Sequence, residues 1–305
     1  MNANALMEFV DKLLTERPGN NLTIYFSRWV SSKYVSHKPQ LSNDIQQEII
    51  AIVLSPLRRL LSDNIVAYNP IGAGDMEIEK LDKADILKIA LYLESIADDK
   101  IFTDMNTLKI DKIDFYCIEI FFGNQKLYLF RQFHKLKKLR KGILAQIVNN
   151  ELQTMDGNFL GIDETTDIVL FGDDVYLINH ISLERIFKYK DEFLNKTNEA
   201  LSELLTKNMI TNIEQFSEDC CNNIRIMKHF TNIMTKSRLP LFFDNYDKVP
   251  SIVMELGLDI DFDNKGKLIY REKSQLFHII NLLSDSYFKT LIAKRTGVSK
   301  IEGEL

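Results

Sequence analysis

The residues in this sequence that are best placed to do chemistry form a short basic segment, residues 134–141. Six of its eight residues are basic when His134 is counted. The stretch from Ile120 to Asn150 contains seven Lys or Arg and no Asp or Glu, so the rest of the chain, whose total net charge is −5, carries −12. Cations concentrated in this way create a local positive field, which suits the binding of an anion such as nucleic-acid phosphate.

The candidate contacts to DNA are the cations in and next to this segment: Arg131, Lys135, Lys137, Lys138, Arg140 and Lys141. In a helix, Lys137, Lys138 and Lys141 would project together, and the leucines between them would face the core. The alternative is a solvated loop or helix edge whose cations pair with carboxylates elsewhere in the chain. A weaker candidate is a looser basic group near the C-terminus: Lys289, Lys294, Arg295 and Lys300.

A catalytic constellation is not apparent in the sequence. The five histidines are scattered without an HxH or HExxH pair, and a GxSxG motif is absent. A metal-dependent nuclease needs paired carboxylates with a nearby lysine to hold the metal and orient water. The pairs Asp114 with Glu119 and Asp173 with Asp174 lack the acid-x-Lys step that should follow. We therefore expect no enzyme activity, no metal and no cofactor.

The basic segment follows a predicted β-hairpin, which would position it. The first strand, Lys112–Phe122, is rich in Ile, Phe and Tyr, which favour strands. Its apolar residues change phase near Cys117, which indicates either burial of both faces or a bulge. Gly123-Asn124 suits a two-residue hairpin turn. The return strand, Gln125–Phe133, leads directly into the cations.

The chain as a whole predicts a mixed α+β fold: a largely antiparallel sheet of hairpins with flanking helices, followed by a mostly helical half with a small hairpin. Predicted strands at Asn158–Ile162, Asp167–Phe171 and Val175–Asn179 are too close in sequence for helical crossovers. After Ser182 the apolar spacing becomes helical. We predict an α/β domain of residues 1–190 with a central antiparallel meander, and a mainly helical domain of residues 191–305 with a C-terminal hairpin.

Three local signals refine the predicted helices. Asp85 is expected to cap a helix that runs to Ile96, because its carboxylate can accept from the first free N–H groups. Pro56 is expected to kink the predicted helix Leu41–Leu61 or to begin a new turn there. Pro240 is expected to break the helical region.

Composition narrows the possible compartments. The chain of 305 residues has 45% hydrophobic residues but no run of about 18 apolar residues, so we expect no membrane helix. Its N-terminus lacks the charge and apolar layout of a signal peptide. The three cysteines include two adjacent ones and no CxxC, which argues against structural zinc and a disulfide framework. We expect a cytoplasmic protein.

The order of motifs around the basic segment resembles a known family. After the Gly-Asn turn come Tyr128-Leu-Phe-Arg-Gln-Phe-His-Lys-Leu-Lys-Lys-Leu-Arg140, Phe159-Leu-Gly-Ile-Asp163, Asp167-Ile-Val-Leu-Phe-Gly-Asp173, Asn179-His180 and Phe187. Together they resemble the KwaB-like family of bacterial anti-phage proteins, the cytoplasmic subunit of the Kiwa defence system. The resemblance covers roughly residues 110–300.

The resemblance implies a DNA-binding effector that works beside a small multispanning membrane subunit, KwaA, and interferes with phage DNA replication and late transcription. Such a protein would be recruited to the inner membrane through that partner. Occupying a template requires cations on phosphates and no bond chemistry. Phe130 and Phe133 suit strand-core packing better than base stacking, so duplex DNA bound without sequence preference is favoured. A homodimer or higher homo-oligomer is expected, because two-fold symmetry would double a short patch.

Two other functions remain open from the residues. The basic patch could dock an acidic protein or an anionic membrane surface, which would make the chain an interaction module. A metal-dependent nuclease that uses Asp173 and Asp174 is the less favoured alternative. Binding of duplex DNA at low salt separates the first of these from the DNA-binding hypothesis, and metal-dependent cleavage of plasmid separates the second.

Overall fold

The computed structural model describes residues 3–16, 21–62, 64–72, 74, 76–97, 101–133, 145–148, 151–154, 161–290 and 295–299. Backbone contacts divide the chain into two compact units. The N-terminal unit comprises Met1–Tyr68 and Ala73–Lys188, and the C-terminal unit comprises Asn69–Gly72 and Tyr189–Leu305. The predicted domain boundary at residue 190 stays a prediction, because it concerns which parts of the chain fold by themselves.

An eight-stranded sheet forms the centre of the N-terminal unit. The strands of this unit are β1 (Leu22–Val30), β2 (Lys33–His37), β3 (Asn64–Ala67), β4 (Glu77–Asp82), β5 (Phe115–Phe122), β6 (Gln125–Gln132), β7 (Ala145–Val148), β8 (Glu151–Thr154), β9 (Ile168–Phe171) and β10 (Asp174–Leu177). The order in the sheet is β2-β1-β5-β6-β9-β10-β4-β3, and neighbours are antiparallel except β3 and β4. Strands β7 and β8 form a separate antiparallel ribbon.

Both faces of the sheet are covered by helices. The helices of this unit are α1 (Ala3–Glu16), α2 (Asn43–Leu60), α3 (Leu87–Ser95) and α4 (His180–Ile186). Apolar residues of α1 and α2, such as Phe9 and Ile50, share one core cluster with Ile118 of β5 and Leu129 of β6. The phase change in β5 therefore reflects two buried faces and not a bulge, since β5 pairs with β6 in continuous register.

An aromatic cluster fills the opposite face of the sheet. Phe115 of β5 and Phe130 of β6 contact Tyr92 of α3 and Phe187, which follows α4, with ring centroids 5.1–6.4 Å apart. All four side chains are fully buried. Burial of each ring stabilises the fold by about 1.5–3 kcal/mol. The central hairpin is therefore packed between two apolar layers.

The C-terminal unit is mainly helical. Its helices are α5 (Lys190–Lys207), α6 (Ile213–Cys221), α7 (Ile224–Thr235), α8 (Arg238–Asp244), α9 (Val249–Leu256) and α10 (Leu276–Leu283). Its strands are β11 (Ile210–Thr211), β12 (Asp261–Phe262), β13 (Leu268–Ile269), β14 (Tyr287–Lys289) and β15 (Thr296–Val298). Strands β11, β13 and β12 form one small sheet, and β14 and β15 form another. The predicted mixed fold, with its antiparallel sheet and helical second half, is confirmed.

Two local predictions were wrong, those for Asp85 and for Pro240. Asp85 does not cap α3; instead Asp82 caps a preceding 3-10 turn by accepting from the Ala84 N–H at 2.8 Å. Pro56 lies inside α2, which runs from Asn43 to Leu60, and the expected kink there stays a prediction. Pro240 lies in the first turn of α8, where its missing N–H costs nothing. The helical run instead breaks at Ser237, whose φ of 51° is left-handed.

One predicted strand is partly absent. Within Asn158–Ile162, residues 158–160 lie outside the described residues, and Gly161 and Ile162 are not in a strand. Residues Ala145–Val148 form β7, which pairs with β8. The chain thus leaves the main sheet after β6, forms a separate ribbon and returns at β9.

Candidate nucleic-acid interface

The basic segment lies in the connection between two neighbouring strands. Strands β6 and β9 are antiparallel partners, with Leu127 opposite Phe171 and Phe130 opposite Ile168. The chain between them, residues 133–167, carries the basic segment and the β7–β8 ribbon. A two-residue turn would suffice to join such strands. The connection is therefore an excursion that leaves the sheet and returns to it at the same place.

The buried carboxylate of Asp167 joins the two ends of the excursion. Asp167 is only 1% exposed to solvent. One of its oxygens accepts from the backbone N–H of Gln132 at 2.7 Å. The other accepts from Arg131 at 3.0 Å and from the side-chain amide of Asn179 at 3.1 Å. The backbone N–H of Asp167 also donates to the Phe130 carbonyl at 2.9 Å. The exit from β6, the entry to β9 and the residue before α4 therefore meet at one side chain.

Of the six main candidate DNA contacts, Arg131 lies within the described residues, and two carboxylates surround it. Its guanidinium binds Asp163 through two nitrogens at 3.2 and 3.3 Å, and Asp167 through a third. Its side chain is 15% exposed. Burial alone would lower the pKa of the Arg131 guanidinium, but the two carboxylates outweigh it and raise that pKa. Arg131 therefore joins the ends of the excursion in this structure, and its contact with DNA stays a prediction.

The other five main candidates cannot be placed in the same way. Lys135, Lys137, Lys138, Arg140 and Lys141 lie outside the described residues. Their assignment rests on the charge of the sequence, and it stays a prediction. What the structure adds is the position of the two ends from which these residues extend.

An exposed cation at the same junction was missed by sequence reasoning. Arg185 of α4 donates to the side-chain oxygen of Gln132, the last residue of β6, at 3.0 Å. Gln132 is neutral, and Arg185 forms no ion pair within the described part of the chain. Its guanidinium therefore adds positive charge at the exit to the basic segment. Because 53 positions separate the two residues, no local pattern indicates their proximity.

The weaker basic group is only partly described. Lys289 forms an ion pair with Glu255 at 2.5 Å, which neutralises it. Arg295 is exposed, and its backbone exchanges hydrogen bonds with Thr290 across the end of the β14–β15 ribbon. Lys294 and Lys300 lie outside the described residues.

The paired carboxylates each have their own donors. Asp173 pairs with Lys83 at 2.7 Å and Asp174 with Lys80 at 3.0 Å. A hydrogen bond from Lys83 lowers the pKa of the Asp173 carboxyl, and the Coulomb attraction of the same lysine adds to this effect. Over the ranges that the structure describes, no group of three or more His, Cys, Asp or Glu side chains could hold a metal ion.

The second pair of carboxylates lies along β5 and its N-terminal approach. Asp114 accepts from the backbone N–H of Trp29 at 2.7 Å. Glu119 accepts from Tyr25 at 2.6 Å and pairs with Lys126 at 2.7 Å. These bonds tie neighbouring strands of the sheet together, which is a structural role.

One family model matches the chain, and the family is described as "Kiwa protein KwaB-like". The match extends over residues 110–293, from the approach to β5 to beyond β14. Neither the curated proteins nor the solved structures gave a match. None of the helices in the described ranges is both long and apolar enough to cross a bilayer. Since the match covers more than half of the chain, including the hairpin, the excursion and the helical unit, the chain belongs to the KwaB-like family of Kiwa proteins.

Proposed function

We propose that this Kiwa protein is an anti-phage effector that binds double-stranded DNA without sequence preference and blocks replication and transcription by occupying the template. It would act in the cytoplasm as a homodimer or higher homo-oligomer, recruited to the inner membrane by a small multispanning, KwaA-like subunit. Membership of the family links the chain to Kiwa defence. The finer proposal rests mainly on one observation: an acid-free basic stretch is carried by an excursion whose two ends are joined at Asp167.

The geometry of the junction supports this proposal in physical terms. A cationic segment that binds a polyanion loses conformational freedom, and the loss is smaller when its ends are already held. Strands β6 and β9 hold these ends in the middle of a sheet whose two faces are buried. Arg131 is neutralised inside the junction, whereas Arg185 remains exposed beside it. We therefore add Arg185 to the proposed DNA-binding surface.

Measurement of duplex DNA binding across a salt series tests the proposal. The variant Lys137→Glu/Lys138→Glu/Arg140→Glu removes three cations of the segment. If each of them contacts one phosphate, the slope of log K against log[salt] should fall in magnitude by about 2.7, at about 0.9 per contact. Affinity at low salt should fall as well.

A matched variant controls for net charge. Lys33, Lys109 and Lys265 are exposed residues without an ion pair in the described part of the chain. Lys33→Glu/Lys109→Glu/Lys265→Glu changes the net charge by the same amount and should keep most of the affinity and slope. The proposal fails if the first variant binds like the parent, or if both variants lose affinity equally.

A further inference from the structure

The C-terminal unit contains a half-open cavity of about 390 Å³, between α8, α9, the end of α10 and β14. Three large apolar side chains from different elements face it and remain exposed to water: Leu241 at 44%, Ile252 at 36% and Phe288 at 48%. Single exposed apolar residues are ordinary, but several that converge on one concave surface indicate a binding site. The volume lies within the range of about 300–1,000 Å³ that is usual for small-molecule sites.

The lining of this cavity carries more positive than negative side chains. Lys289 and Glu255 neutralise each other through an ion pair. Lys248 lies on the lining, and its ammonium group bonds to the neutral side-chain oxygen of Asn245 at 2.7 Å. No carboxylate of the described residues pairs with it. The other charged lining residues are Arg238 and Asp285, so the lining as a whole carries a net charge of +1.

We propose that this cavity binds a small amphipathic anion, with its apolar chain against Leu241, Ile252 and Phe288 and its carboxylate on Lys248. Apolar lining contributes affinity by removing the chain from water, and a few polar groups fix the orientation of the ligand. A carboxylate replaces the weak neutral partner of Lys248 with a charge-assisted hydrogen bond. An alcohol of the same chain length lacks this bond, and a cationic amphiphile is repelled by Lys248. The lining shares no residue with the basic segment, residues 134–141.

Titration calorimetry of the full chain with sodium decanoate tests the site, with decanol and decyltrimethylammonium as comparisons. Saturable binding of one decanoate per chain is expected, with weaker binding of decanol and none of the cation. Lys248→Gln should weaken decanoate about tenfold, the factor for one hydrogen bond to a charged group, and leave decanol unchanged. Lys265→Gln, at an exposed lysine outside the lining, should bind decanoate like the parent.

The apolar part of the site is tested on one helix. Ile252→Gln should weaken both decanoate and decanol about fivefold, because the chain loses apolar contact. Met254→Gln is the control, since Met254 also lies on α9 and is 80% exposed but does not line the cavity. Leu241→Gln, also at a partly exposed position, repeats the test from α8. The proposal is overturned if decanoate binding does not saturate, if Ile252→Gln and Met254→Gln behave alike, or if Lys248→Gln leaves decanoate affinity unchanged. DNA affinity should be the same in all these variants.

Discussion

Asp167 is the residue on which the junction between β6 and β9 depends. Its carboxylate is buried and receives bonds from Arg131, the Gln132 N–H and Asn179. A buried carboxylate is tolerated only when donors satisfy it, and these donors in turn depend on the carboxylate. Asp163 binds the same guanidinium from a position that is 56% exposed. The two aspartates therefore differ in burial while they share a partner.

This difference predicts unequal effects on stability. Asp167→Ala should lower the free energy of unfolding by about 3 kcal/mol or more, because it leaves buried donors unpaired. Asp163→Ala should lower it by less than about 1 kcal/mol, since exposed ion pairs contribute little. Urea unfolding of the two variants measures both values. Equal losses would show that the burial of Asp167 does not set its contribution.

A second prediction at this scale concerns the ion pair of Asp173 with Lys83. The hydrogen bond from Lys83 holds the pKa of the Asp173 carboxyl below its ordinary value of 3.8. Because the folded-state pKa is depressed, the pair stabilises the fold above pH 3.8, and this contribution is lost as the pH falls through the folded-state pKa. Lys83→Ala should move the pKa of Asp173 upward, as measured by carboxyl carbon NMR during a pH titration. An unchanged titration would remove Lys83 as the cause.

At the scale of elements, the central feature is the excursion between β6 and β9. Its ends are held by β-sheet pairing and by Asp167, and α4 touches its start through Arg185 and Gln132. Gln132, the last residue of β6, thus bonds to Asp167, just before β9, and to Arg185 of α4, both far from it in sequence. This arrangement places Arg185 beside Gln132, two residues before the basic segment in the sequence.

Arg185 therefore provides a prediction at the element scale, which depends on the proposed function. Arg185→Gln should reduce the magnitude of the salt slope for duplex binding by about 0.9, the value for one phosphate contact. Arg225→Gln is the matched control, because Arg225 is exposed on α7 and forms no ion pair among the described residues. Fluorescence anisotropy over a salt series measures both slopes. Identical slopes for the two variants would exclude Arg185 from the DNA-binding surface.

At the scale of the whole molecule, charge is distributed unevenly. An acidic chain of net charge −5 contains one acid-free stretch with seven cations. Each unit has its own apolar core, one around the eight-stranded sheet and one among the helices of the C-terminal unit. In the proposed function, this net charge would oppose approach to DNA at long range, so the local concentration of cations would have to provide the affinity.

This charge distribution supports the prediction of a homodimer. A dimer would present two basic segments to one duplex, and its salt slope should be about twice that of a monomer. Light scattering gives the mass, and anisotropy at the same protein concentrations gives the slope. A monomeric mass at concentrations where DNA is bound would contradict the prediction.

Local signals in the sequence placed the central turn correctly but misassigned two helix boundaries. The turn at Gly123 was predicted because a two-residue hairpin needs positive φ, and its φ is 61°. The cap at Asp85 was wrong because Asp82, three residues earlier, satisfies a 3-10 turn first. The prediction at Pro240 was wrong because proline is tolerated in the first turn of a helix as well as between helices. Both errors concern helix boundaries, where one residue type suits more than one local conformation.

The sequence by itself determined the mixed α+β class, the central hairpin, the concentration of cations and the resemblance to the KwaB-like family. Apolar periodicity, turn chemistry and charge are properties of neighbouring residues, so they can be read along the chain. The tertiary structure alone decided that β6 lies beside β9, that both faces of β5 are buried, and that Asp167 joins the ends of the excursion. Partners such as Arg131 and Asp167 are 36 residues apart. Such pairs form only when the chain folds, because a buried charge needs a hydrogen-bond partner and the order of strands in the sheet decides which residue lies near it.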